Sequence, residues 1–145
     1  MSLEYQVGQL LGLGRQTEAE MERSVRSGNL PASTLIELVR HVAGVDRGPA
    51  TTEIATRIVS RATWNRALRN PKAKLSATVA DRVERVGQLV AHAEAVWGDI
   101  GDAREFVTSS QTVLGAAPLD MASDSTVGSR RVEALLGRID HGLVM

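Results

Sequence analysis

The sequence predicts an all-α fold, on three observations. Apolar residues recur at three- and four-residue steps along most of its 145 residues, and no stretch alternates cleanly enough to make a strand. Side chains that accept from free helix amides stand before several of these runs: Thr17 with Glu20, Ser60, Ser76, and Asp102 with Glu105. Glycine or proline then closes or reopens the runs, at Gly28, Gly44, Gly48-Pro49, Asn70-Pro71, Leu114-Gly115, Pro118 and Gly142. The length suits one domain or two small helical modules sharing a core.

Residues 1–15 read as an arm of uncertain order, and Gly12-x-Gly14 lacks the strand and third glycine of a phosphate loop. Thr17 and Glu20 open a first helix with Met21 and Val25 inward, ending near Ser27-Gly28-Asn29. Either Pro31 or Thr34 with Glu37 opens the next, whose stripe is Leu35, Leu38, Val39 and Val42, and Gly44 stops it. After a loop at 45–50 comes a short helix at 53–58, where small Ala55 permits a close crossing. Val59-Ser60 is a tight turn, and Ser60 caps a helix from Arg61 to Arg69, with Trp64, Ala67 and Leu68 inward.

The longest helix runs to Trp97 from a cap at Ser76 or Thr78. Val79, Val83, Val86, Val90, Ala93 and Trp97 form a heptad-like seam. Spacing leaves two readings of that seam: a core stripe, or a dimer interface through Val79, Val83, Val86 and Val90. A helix should start at Asp102 and bury Ala103, Phe106 and Val107, with Leu114-Gly115 ending it. Pro118 opens a turn or short helix, and Ser129 caps a last helix with Val132, Leu135, Leu136 and Ile139 inward. Gly142 sits where a terminating residue of positive φ is wanted. The remaining Leu143, Val144 and Met145 either pack back on the domain or enter a partner's groove.

The zero net charge conceals a segregation. Residues 54–93 hold eight bases against two acids, whereas residues 94–145 hold eight acids against four bases. Between Ile54 and Ala80 there are six bases and no acid, which points to a polyanionic partner, with a merely solvated basic helix as the alternative. Arg pairs with guanine and Asn with adenine in a major groove. Arg61, Thr63, Asn65, Arg66 and Arg69 therefore suit base readout, and Arg57, Lys72 and Lys74 suit phosphates. The two short helices around Val59-Ser60 have the form of a helix-turn-helix.

No cysteine is present, and His41, His92 and His141 have no second ligand one helical turn away, so no metal site is expected. Carboxylates stand mainly at caps or beside bases, and no nucleophile has a visible base. Neither an enzyme nor a cofactor is expected. No apolar run is long enough for a membrane, and the N-terminus lacks a signal pattern, so a soluble cytoplasmic protein is expected.

The order of elements in residues 94–145 carries a resemblance. An aromatic precedes Gly98-Asp99; a short helix with paired apolar residues, Leu114-Gly115 and Pro118-Leu119-Asp120 follow; a final helix ends in Arg138-Ile139-Asp140-His141-Gly142. This resembles the toxin-binding domain of the Xre/MbcA/ParS antitoxin family, and the likeness extends over roughly residues 28–145. Behind the arm at 1–15, the resemblance implies an Xre-like helix-turn-helix DNA-binding region (16–93) and a small helical toxin-binding domain (94–145) joined to it by a long helix. It further implies neutralisation of a cognate RES-family toxin that consumes NAD, by covering its NAD pocket. It also implies repression of the chain's own operon on double-stranded operator DNA; the seam and the symmetry of a palindromic operator add the expectation of a homodimer, within a larger toxin–antitoxin complex. Arg138, Asp140, His141, Gly142, Leu143, Val144 and Met145 are the residues placed for the toxin. The turn at Ile58-Val59-Ser60 departs from the family pattern in lacking glycine. The alternative is a stand-alone helix-turn-helix regulator whose C-terminal domain dimerises or binds an effector.

Overall fold

The computed structural model describes residues 3–14 and 16–142. Among them the chain forms nine α-helices and no sheet: α1 Leu3–Leu10, α2 Glu18–Arg26, α3 Ala32–Ala43, α4 Pro49–Ile58, α5 Arg61–Arg69, α6 Ala77–Trp97, α7 Ile100–Thr108, α8 Pro118–Asp124 and α9 Thr126–Asp140. The all-α expectation holds.

Helix α6 is the axis of the molecule. Helices α1, α2 and α3 pack on it from one half of the chain and α7, α8 and α9 from the other. Its seam explains this. Val83, Val86 and Val90 are 0%, 0% and 3% exposed within a single chain, and Ala93 is likewise buried. Of the two readings the seam allowed, the chain's own core takes these positions, and Val83, Val86 and Val90 offer no face to a second copy. Val79 and Trp97 are only partly buried at its ends.

The N-terminal arm also has a place in this core. Val7 and Leu11 are buried, and a Cβ added at Gly87 of α6 would lie 3.4 Å from Val7 and 3.6 Å from Leu11. Those are ordinary van der Waals distances, so α1 lies in direct contact with α6 at Gly87. The described part of residues 1–15 is thus a helix packed on α6.

Caps set most boundaries. Thr17 and Glu20 form the full capping box, Ser60 accepts from the Thr63 amide, and Ser76 accepts from Val79. Three starts fall elsewhere than the sequence pattern placed them. Helix α4 begins at Pro49 rather than 53, because proline at the first position loses no bond there. Helix α7 begins at Ile100, since Asp99 accepts from Asp102, which is itself inside the helix; it ends at Thr108 rather than at Gly115. Helix α9 begins at Thr126, since Ser125 accepts from Gly128 and Ser129 is already helical. The Val59-Ser60 turn works without glycine because both residues keep negative φ, at −136° and −66°.

Two outcomes follow. Val86→Asp should abolish the cooperative thermal melt and the helical circular dichroism together, because an unpaired carboxylate would sit in the core; a helical, melting variant of altered oligomeric state would contradict the core assignment. The second concerns Glu84 on α6. Burial, then the nearby carboxylates of Asp81, Glu22 and Glu18, raise its carboxyl above the usual range, with Arg85 opposing. A raised folded pKa means the folded chain holds this proton more tightly than the unfolded chain. Its contribution is therefore favourable in acid and lost as pH rises through the folded value. Glu84→Gln should raise the Tm at pH 7, with the gain shrinking towards pH 4; a gain independent of pH would refute this.

Candidate functional site

Two regions of the surface hold the residues that the sequence singled out. The first is built on α5. Trp64 and Ala67 are buried, and at 100° per residue they turn Arg61, Ala62, Asn65, Arg66 and Arg69 outward. Leu68, assigned to the interior by spacing, is 47% exposed: it lies at the rim of the buried stripe rather than in it. Ser60 Oγ bonds Thr63 Oγ1 at 3.0 Å, and Arg66 donates to Thr63 Oγ1 at 3.2 Å, so the N-cap orients one arginine. Lys74 donates to Asn29 Oδ1 at 2.9 Å. Among the described residues, no carboxylate pairs with Arg61, Arg66, Arg69, Lys72 or Lys74.

Arg57 is used differently. Its guanidinium donates to Asp120 at 2.9 and 3.2 Å and to the Thr108 carbonyl at 2.9 Å, tying α4 to α7 and α8; the side chain is 21% exposed. That is a structural role, and it corrects the assignment of Arg57 to a phosphate. Two further bases of the positive third do the same. Arg82 donates to the Ile58 carbonyl at 3.3 Å, and Arg85 to the carbonyls of Ala122 and Ser123 at 2.8 and 3.0 Å, besides pairing with Asp81.

The second region is the end of α9. Arg138, Asp140, His141 and Gly142 are exposed, and Gly142 takes φ 74°, the left-handed conformation that ends the helix. Leu143, Val144 and Met145 lie outside the described residues. The stem beneath this end is fixed by Val132, Leu135 and Leu136, all fully buried. Arg130 and Arg131 fall in the second turn of α9, since the helix starts at Thr126, and so stand clear of the N-terminal amides.

His41 and His92, apparently alone in the sequence, each meet a carboxylate from a distant segment: Glu94 and Glu133 respectively. These pairs join α6 to α3 and to α9. Among the described residues no cluster of three potential ligands could hold a metal, and no helix is long and apolar enough to cross a membrane. A hollow of about 920 Å³ lies among α1, α3, α6 and α7. Its walls are occupied with one another, as Arg40 donates to the Asp46 carbonyl and Arg104 to that of His41.

The last turns of α6 followed by α7, α8 and α9 form the unit on which comparison with known families bears. Residues 92–142 match the family model described as the antitoxin Xre/MbcA/ParS C-terminal toxin-binding domain. Over that segment, about a third of the chain, the sequence is similar to the toxin-binding domain of Xre/MbcA/ParS-type antitoxins. No curated protein matches the chain. The Xre/MbcA/ParS match begins inside α6, so this toxin-binding unit takes its first wall from the helix that also supports the N-terminal half. Trp97 and Phe106 close that wall, their rings 5.0 Å apart and inclined at 48°. The partner class of an antitoxin of this type is a toxin protein.

Arg85 should be more costly to remove than Arg61. Arg85→Ala leaves two carbonyls at the end of α8 without their donors and should cost about 1–3 kcal/mol, read as a Tm lowered by several degrees. Arg61→Ala, with no such partner, should stay within about 0.5 kcal/mol of the parent; equal losses for both would contradict the division.

Proposed function

We propose that this chain is the antitoxin of a type II toxin–antitoxin module acting in the cytoplasm. It neutralises a RES-family, NAD-consuming toxin by steric occlusion of the toxin's pocket, and it represses its own operon through the α4–α5 helix-turn-helix. The observation that carries the toxin half is the family match over residues 92–142, which ends at the exposed tip of α9. A rigid stem with buried Val132, Leu135 and Leu136 presents Arg138, Asp140 and His141, and the short segment 142–145 is the plug. Arg138 and Asp140 make rim contacts, which set orientation more than energy.

The DNA half is supported by α5, whose outward face joins Arg61, Asn65, Arg66 and Arg69 to Lys72 and Lys74, with no carboxylate among the described residues paired to any of the five bases. Two copies on a palindromic operator would associate through a surface other than the buried α6 seam.

Deleting residues 142–145 and co-expressing the chain with its neighbouring toxin tests the assignment. The truncated chain should let growth inhibition and NAD loss return while operator binding survives. Full protection by the truncated chain would remove the tail from the interface. Charge reversal at Arg66 and Arg69 should abolish a gel shift on the chain's own promoter while protection from the toxin persists; an unchanged shift would remove α5 from the DNA.

A further inference from the structure

Beside α5 lies a cavity of about 420 Å³ that the charge pattern alone does not reveal. Its floor is apolar, made by Ala32 of α3, Ala67 of α5, Leu75, and Val79 of α6. Its rim is cationic, with Arg66, Arg69 and Lys74, and no acidic residue lines it. The three cations come from two segments, α5 and the 70–76 connection, and two of them are held in place: Arg66 by Thr63 Oγ1 and Lys74 by Asn29 Oδ1. The connection itself is anchored. The Ala32 and Ser33 amides donate to the carbonyls of Ala73 and Pro71, and the Leu75 amide donates to Leu30. Ser76, the N-cap of α6, is also part of the wall, with its hydroxyl accepting from the Val79 amide.

An apolar floor under a cationic rim suits a ligand with an apolar ring and an anion on one side. A furanose ring with its phosphate has that form: the sugar's C–H edge can lie on Ala67, Leu75 and Val79 while the phosphate meets Arg66, Arg69 and Lys74. The same chemistry occurs in a DNA strand and in a free nucleotide. Continuity favours the strand, because Arg66 and Arg69 belong both to the cavity rim and to the exposed face of α5 that carries Arg61 and Asn65.

We infer that this cavity seats one sugar–phosphate unit of a DNA backbone, with Arg66, Arg69 and Lys74 as its phosphate ligands, and so fixes the register in which Arg61, Ala62 and Asn65 meet the bases. The inference rests on the DNA-binding half of the proposed function. It reassigns Arg66 and Arg69 from bases to backbone, which leaves base readout to fewer residues, nearer the start of α5.

The test compares full-length Lys74→Gln, Arg66→Gln and Asn65→Ala chains with the parent, each first shown to keep the parental melt. Binding to the chain's own promoter duplex and to a scrambled duplex is measured across a salt series. Lys74→Gln and Arg66→Gln should weaken both duplexes by the same factor and reduce the log–log salt slope by about one unit each. Asn65→Ala should weaken only the promoter duplex. An unchanged slope for both charge variants, or a loss confined to the promoter, would overturn the backbone seat while leaving DNA binding by α5 intact. A parent chain that binds neither duplex would remove the DNA reading and the seat together. A titration with a free deoxynucleoside monophosphate completes the set. Micromolar binding that Lys74→Gln abolishes, with salt slopes unaltered, would give the cavity to a small nucleotide and overturn the inference; no saturable binding below millimolar is the expected result.

Discussion

Val83, Val86, Val90 and Ala93 leave almost no surface to water, and six other helices reach α6. A helix of 21 residues is about 30 Å long, long enough for the N-terminal three helices and the C-terminal three to find separate places on one rod. The toxin-binding unit is therefore not a module hung on a linker. It shares a hydrophobic core with α1, α3 and α5, and no point along α6 is a boundary at which the chain could be cut without opening that core.

The arginines of this chain divide by what their planar donors meet. Arg57, Arg82, Arg85 and Arg104 each reach a carbonyl at or near the C-terminal end of a helix other than their own: Thr108 in α7, Ile58 in α4, Ala122 and Ser123 in α8, and His41 in α3. Those last-turn carbonyls have no intrahelical donor, and they carry the negative end of the helix dipole. A guanidinium satisfies both needs at once. Arg61, Arg66, Arg69, Lys72 and Lys74 face outward, without a carboxylate partner among the described residues.

This division sets what was legible beforehand. The helices at α2, α5 and α6 were readable because a Ser or Thr cap sits immediately before an apolar stripe, and the cap's bond is local. The family of the C-terminal third was readable from the order Trp97-Gly98-Asp99 through Gly142. Starts at Asp102 and Ser129 were misplaced because a capping pattern is only a spacing, and Asp99 and Ser125, three and four residues earlier, satisfy it as well. The fate of Arg57 was hidden, because its partner Asp120 lies 63 residues away and a charge count carries sign but no direction. The histidines appeared isolated for the same reason. Leu68 illustrates a finer limit: a stripe two residues wide, Trp64 and Ala67, is enough to hold a nine-residue helix, and nothing in the spacing says the third apolar residue is needed.

Gly128 stands one turn into α9 against the backbone of α8, where an added Cβ would come within 2.3 Å of the Met121 carbonyl oxygen. No side chain can be admitted there without pushing one helix from the other. From Gly128 to Asp140 the helix rises about 18 Å, so a tilt of about 5° at its base carries the tip sideways by about 1.5 Å. The outer end of α9 is a pointer, and its aim is set at a pivot more than three turns away. Members of a lineage could change which protein they grip by altering the pivot rather than the grip, and a comparison of contact residues alone would miss the change.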